Sequence, residues 1–332
     1  MPAVFKRELK SYFNTVTGEL FVAVNLFFLG IYFTAYHLNM GSSHVSYTVQ
    51  SVLLVFMIVT PVLTMRSMAE ERRQRTDQLL FTAPVSAGKI ILGKYMGMVG
   101  VFLVPVLVLC LYPVILGRFG HVPMAESYVA ILGYFLFGCA CISIGLFISS
   151  MTENLIIASV GTFGILFLSY LMSGIRSLIS ESGNTLTEVL KAFDIASPLN
   201  GLMQGRLEIL SLIYYISVVF LMLFFTHQNV NRRRYEFNKT TAKLSIFSWA
   251  GTIIVTAVVV GLNIGATFLP DEYKSFDVTE EKLYEITDTT KDYLGSLTED
   301  VTINVLGNKE GYDDTIAKIL DRYATYPKVK VE

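Results

Sequence analysis

MRSMAEERRQRTDQLLFTAPVSAGKIILGK, residues 65–94, sets a dense run of charge between two long apolar segments, 45–65 and 90–116. Each flank is long enough for a spanning helix of about 20 residues. A loop of this polarity belongs in water, so the chain crosses a membrane on either side of it. The run Glu70-Glu71-Arg72-Arg73-Gln74-Arg75 reads by default as a solvated helix face. Leu79, Leu80 and Phe81 follow directly, and exposed apolar side chains beside charge suggest a partner surface.

Outward from this loop lie five further apolar stretches, 20–38, 128–149, 155–175, 209–226 and 246–269, which make seven predicted spans. The composition agrees: 53% hydrophobic, 16% charged, with a mean hydropathy of +0.53. Among these spans only the third holds a charge, Lys94, which is expected to snorkel to the interface. Basic residues set the orientation. Lys6, Arg7 and Lys10 precede the first span, Arg66, Arg72, Arg73, Arg75 and Lys89 follow the second, and Arg232, Arg233, Arg234, Lys239 and Lys243 follow the sixth. The alternate loops hold almost none. The N-terminus is therefore expected in the cytoplasm of a plasma (inner) membrane, and residues 271–332 outside it. That tail has fifteen acidic and eight basic residues, a net of −7, against +6 for residues 1–270. The basic part suits anionic inner-leaflet lipid.

Residues 3–13 put Phe5, Leu9, Tyr12 and Phe13 on one helical face and Lys6, Arg7, Lys10 and Ser11 on the other. An interfacial amphipathic helix over 1–18 is expected, against a simple extension of the first span. The 65–94 loop is expected to continue the second span as helix through about Leu80. Thr82-Ala83-Pro84 then breaks it, and Ser86 caps the third span. Pro105 and Pro113 are candidate kinks. Leu186, Val189, Leu190 and Phe193 follow helical spacing in the 176–208 connection, and Ser197-Pro198-Leu199-Asn200-Gly201 reads as a turn. After Pro270 come a predicted helix over 282–297, a strand over 301–306, a helix over 313–325 and a strand over 328–331. The chain stops within that last strand at Glu332, as expected of the first part of a larger α/β domain.

No catalytic pattern emerges. Gly88-Lys89 and Gly93-Lys94 lack the rest of a P-loop, so ATP is not expected to bind here. His37, His44, His121 and His227 are scattered without metal spacing, and Cys110, Cys139 and Cys141 read as packing residues within spans. No carboxylate lies mid-span, which weighs against proton coupling. Gly93-x-x-x-Gly97 and Gly261-x-x-x-Gly265 could bring helices close, as in a dimer contact, although small residues at this spacing are common in spans by chance.

Four segments carry a family resemblance: KRELKSYFNTVTGELF near the N-terminus, TMRSMAEERRQRTDQLLFTAPVSAGKIILGKY, SIGLFISSMTEN, and SPLNGLMQGRLEILSLIYYISVVFLMLFFTHQNVNRRR. Across residues 4–234 the chain resembles ABC-2 type transporter permeases, especially the gliding-motility-type branch. The resemblance implies an all-α polytopic fold with a six-span core over 19–234. It also implies a second permease subunit (a copy or a different chain) and two P-loop ATPase subunits that hold the ATP and Mg. By position, Ala69, Glu70, Glu71, Arg72, Arg73, Thr76, Leu79 and Leu80 would form or flank the ATPase-docking surface, and 176–206 would match external helices near the exit. No nucleic acid is implied. Residues 235–270 add a basic linker and seventh span. KSFDVTEEKLYEITDTTKDYLGSLTEDVTINVLGN is similar to the start of the auxiliary component that accompanies gliding-type permeases. The residues alone leave three readings: the membrane subunit of an ATP-driven exporter, an ion-coupled carrier or channel, and an anchor presenting an external domain.

Overall fold

In a membrane every backbone polar group needs an internal partner, so apolar stretches of this length fold as helices. The computed structural model describes residues 2–76, 85–179, 193–234, 242–270, 274–280, 282, 288–297, 299–306 and 314–331. In chain order the helices are α1 (Pro2–Phe13), α2 (Val16–Phe33), α3 (Ser46–Arg73), α4 (Ala87–Leu116), α5 (Met124–Met151), α6 (Leu155–Ile179), α7 (Ser197–Met203), α8 (Ile209–Arg234) and α9 (Ala242–Thr267), then α10 (Asp288–Gly295) and α11 (Asp314–Tyr323). The described residues also include four short strands, β1 (Arg206–Glu208), β2 (Ser275–Asp277), β3 (Val301–Ile303) and β4 (Val329–Val331). Seven of the helices are long and apolar enough to cross a membrane, at the positions the hydropathy predicts.

The second and fourth spans, α3 and α5, form the centre. Each is 67% buried, against 17% for the fifth and sixth and 11% for the seventh. The α3–α5 seam is tight: a Cβ added to Gly145 would sit 2.8 Å from Thr64 Cβ. Beside it the rings of Phe56, Phe102 and Tyr134 meet with centroids 4.8–5.5 Å apart, the tilted and edge-on packing aromatic rings prefer. The helix α8 packs along α5, α6 along α3, and α9 along α8.

The chain places α1 as a helix of its own, broken from α2 at Asn14–Thr15. It lies across α4, with Val4, Phe5, Glu8 and Leu9 against Gly93, Gly97 and Gly100. The Gly93-x-x-x-Gly97 pair therefore serves a contact within the chain. Gly261 and Gly265 face open space among the described residues. Of the predicted apolar face of α1, Phe13 is exposed, and the acidic Glu8 takes its place among the buried residues.

Other boundaries differ from expectation. The helix α3 ends at Arg73, not near Leu80. Arg75 adopts a left-handed conformation (φ 56), Thr76 N–H donates to Glu71 O at 2.9 Å and Arg75 N–H to Arg72 O at 3.0 Å. That pair of bonds closes a helix C-terminus. Residues 77–84, with Leu79, Leu80 and the Thr82-Ala83-Pro84 break, lie outside the described residues. Ser86 does precede α4 in extended conformation, without a side-chain cap bond, and α4 continues through Pro105 and Pro113. The segment read as a turn at 197–201 is instead helix α7. Pro198 suits its first turn, and Asp194 Oδ1 accepts from the N–H groups of Ala196 and Ser197 at 3.1 and 2.9 Å. Residues 180–192, with most of the helix predicted there, also lie outside the described residues.

In the tail, β3 and β4 pair in parallel, Val301 opposite Val329, with α11 between them in sequence. The predicted strand–helix–strand order holds, with shorter strands. The pairing of β1 with β2 was not anticipated: Arg206 stands opposite Asp277, Leu207 opposite Phe276 and Glu208 opposite Ser275, antiparallel.

Gly145→Val is expected to force α3 from α5 and cost about 1–3 kcal/mol of stability. Gly261→Val, facing open space, is expected to leave stability unchanged. Thermal unfolding of both variants in nanodiscs checks the contrast.

Candidate coupling site at the basic end of the bundle

At one end of the bundle the last turns of α3 meet α1, the start of α2, the start of α4 and the end of α5, and the end of α8 lies against that end of α5. Lys94 is the centre of this meeting. Its side chain is 1% exposed, and its Nζ lies 2.7 Å from Glu71 Oε1, 3.3 Å from Glu8 Oε1 and 2.9 Å from Ser67 O. Lys94 therefore does not snorkel to water. Two helices besides its own surround its ammonium: α1 supplies Glu8, and α3 supplies Glu71 and the Ser67 carbonyl. Arg7 closes the outer side, 2.7 Å from Glu8 and 3.6 Å from Glu71. Tyr12 lies beneath, donating to Leu63 O at 3.4 Å. Burial, with Glu8 adding its charge, raises the Tyr12 phenol above its ordinary value and keeps it a donor.

The predicted docking residues separate into two groups. Ala69 is fully buried, and its N–H, with that of Met68, donates to Ser149 Oγ at 3.1 and 3.2 Å. Ser149 Oγ donates in turn to Met65 O at 3.0 Å. Glu70 accepts twice from Arg66, at 2.5 and 3.0 Å, and Arg66 also donates to Thr17 Oγ1 at 2.6 Å. Glu71 holds Lys94. Arg72 reaches across to the end of α5, donating to Ser150 O at 2.7 Å and Thr152 O at 3.2 Å, with Glu153 at 3.7 Å. These four residues brace the bundle from inside. Arg73 and Thr76 are exposed, and Leu79 and Leu80 lie outside the described residues.

Asn229 brings in α8 as well, donating to Ser150 O and Oγ at 2.8 and 3.0 Å. The Thr152-Glu153-Asn154 motif makes the turn from α5 to α6. Asn154 Oδ1 accepts from Ile156 N–H at 2.9 Å, a helix N-cap, and Thr152 presents its carbonyl to Arg72. Sequence reading missed Glu8, Ser149 and Asn229. One signal was available: Glu8 falls within the apolar face of α1, and Lys94 is the lone charge within the apolar spans, so each lacked a partner that the other supplies.

The cluster is built of ion pairs and hydrogen bonds between helix ends. Among the described residues no group of His, Cys, Asp and Glu could hold a metal ion. Its residues fix the end of α3, and hence the start of the 74–85 connection, against four other helices.

Seven apolar helices with charge gathered at one end define a multi-pass membrane protein. The family model described as ABC-2 family transporter protein matches residues 22–226, more than half of the chain, and the chain belongs to that family. It is thus the membrane component of an ABC-type transporter. No curated protein and no solved structure matches it. The match runs from α2 into α8 and leaves α9 and the tail outside it.

Lys94→Met would leave the buried Glu8 and the half-buried Glu71 with only the exposed Arg7 as cation, which is expected to cost up to about 3 kcal/mol. Lys94→Met with Glu8→Gln and Glu71→Gln is expected to recover most of that loss. Thermal unfolding of the single and triple variants checks both.

Proposed function

We propose that this chain is the permease subunit of an ABC-2 exporter, energised by a separate P-loop ATPase that docks on residues 65–94. The observation that supports this most directly is the immobilised end of α3. A loop can transmit work only if its root cannot swing freely. Ala69, Glu71 and Arg72 fix that root by contacts to α1, α4 and α5, and Glu70 holds Arg66, which reaches α2. In this reading Arg73, Thr76, Leu79 and Leu80 form the outward contact, with the two leucines supplying buried area and the charges supplying orientation. The inward four set the angle of that contact.

The working assembly is two permease subunits and two ATPases, with ATP and Mg held on the ATPases. The basic end faces the cytoplasm of the inner membrane, and the β1–β2 end faces outward. ATP-driven closure of the ATPases displaces the two roots, and the helices follow as rigid bodies. The core of this permease is 19–234, preceded by the interfacial helix of 1–18. Residues 235–270 form the basic linker and seventh span, and 271–332 form the start of an external α/β domain. The gliding-motility-type branch, with a fused auxiliary component, fits the added seventh span and tail.

The decisive experiment is co-purification with a P-loop ATPase and transport in vesicles. Leu79→Ala with Leu80→Ala is expected to leave the protein in the membrane while reducing ATPase capture and transport at least ~10-fold, the effect of losing a docking hot spot of roughly 1.4 kcal/mol or more. Unchanged capture and transport would sink the docking assignment.

A further inference from the structure

We infer a second activity for this chain: it passes motion of the permease core to the segment beyond the seventh span, through a closed clip of β1, α8, α9 and β2. The inference rests on the permease reading for what drives the motion and for which side is outside. The clip itself rests on geometry alone.

The strand β1 runs straight into α8, since Glu208 and Ile209 are consecutive. The helix α9 returns alongside α8 and packs on it, with Gln228 Nε2 donating to Thr252 Oγ1 at 3.4 Å. At the far end β2 pairs with β1 over three residues. The two helices are therefore joined twice, by the chain at one end and by a strand ladder at the other. The ladder thus ties β2, which follows α9, to β1, which runs into α8. Whatever displaces α8 displaces β2.

The ladder is also set into the core. Val278 N–H donates to Gly205 O at 3.0 Å, which extends the register by one pair. Gly205 has a left-handed backbone (φ 76), and any side chain there would meet Glu126 Cγ at 2.7 Å and Thr279 Cγ2 at 3.0 Å. Arg206 is 1% exposed, donating to Gln204 Oε1 at 2.7 Å and lying 3.4 Å from Glu208. The Glu208 carboxylate sits against Gly201 of α7. Thr279 is buried, its hydroxyl and N–H both donating to Asp277 Oδ1 at 2.6 and 2.9 Å, and Glu280 meets His121 at 3.2 Å. A passive linker would leave residues 275–280 solvated. Here they touch β1, α5 and the α4–α5 connection. The receiver is the parallel β3–β4 unit with α11, which begins about twenty residues on.

Gly205 and Val278 form a hydrogen-bonded pair, so the alternation of an antiparallel ladder makes Leu207 and Phe276 the next one. The Phe276 ring is already 47% exposed. Phe276→Pro thus removes a ladder N–H with little loss of packing. Phe276→Ala keeps the N–H and serves as control. Hydrogen exchange is measured on the full chain in lipid nanodiscs, with neither nucleotide nor partner. Phe276→Pro is expected to exchange at least ~10-fold faster over residues 199–208, and Phe276→Ala to stay within about twofold of the parent. Equal rates in all three proteins would overturn the clip, whatever energises the transporter. Motion is then read between spin labels at Phe119→Cys and Ser296→Cys, in a background with Cys110→Ser, during turnover. The label distance is expected to shift in the parent and to stay fixed in Phe276→Pro. Labels that stay still in a parent that is turning over would also overturn the inference. A parent that does not turn over would fault the permease reading instead, and the exchange rates would then decide the clip.

Discussion

A lysine ammonium within an apolar span has to find negative charge close by, because neither lipid nor packed hydrocarbon solvates it. Lys94 meets that demand with two carboxylates from two different helices. Much of the basic end follows from this. Glu8 can reach Lys94 only if α1 lies across α4, and three glycines on α4 provide the close approach. Glu71 can reach it only if α3 continues as helix beyond its apolar stretch, which it does as far as Arg73. An ion cluster of this kind contributes little net stability relative to apolar packing, but it is costly to leave half made. Its effect is to specify one arrangement of three helices, where hydrocarbon contacts alone would tolerate several.

The spans were legible because length and hydropathy suffice for them, and the separate α1 was legible from its two-faced pattern. The side-chain cluster was harder. Lys94 near the end of a span reads as a snorkelling residue until Glu8 is placed opposite it, and no local pattern links positions 86 residues apart. The β1–β2 ladder was invisible for a different reason. Arg-Leu-Glu and Ser-Phe-Asp are too short to show a period of two, and their pairing depends on two spans bringing them together. Pro198 misled because proline opens helices as readily as it opens turns. What decided the matter was Asp194, four residues earlier, whose carboxylate caps the helix.

The candidate docking residues were found by position, yet the structure gives most of them work inside the chain. Arg72 and Glu71 point at α5 and Lys94, and Ala69 is buried against Ser149. A charge run on a helix end is usually a solvated face. This one is solvated only in part, because the neighbouring helix ends offer unpaired carbonyls and a buried cation. Carbonyls at the end of α5 lack intrahelical partners by the geometry of any helix terminus, and Arg72 and Asn229 supply donors to them.

That last contact links the two ends of the molecule. Ser150 receives Arg72 from α3 and Asn229 from α8 at the same carbonyl oxygen, 2.7 and 2.8 Å away. A displacement of the α3 root therefore bears on α8 directly, without passing through the apolar interior. The helix α8 then spans the bundle as an uninterrupted rod from Arg234 to Ile209, continuous with β1. A helix of 26 residues is about 39 Å long at 1.5 Å per residue. A rotation of a few degrees about one end is thereby converted to a shift of ångströms at the other, where β1 carries β2. The side chains that fix the basic end and the ladder that closes the far end thus bear on one and the same helix.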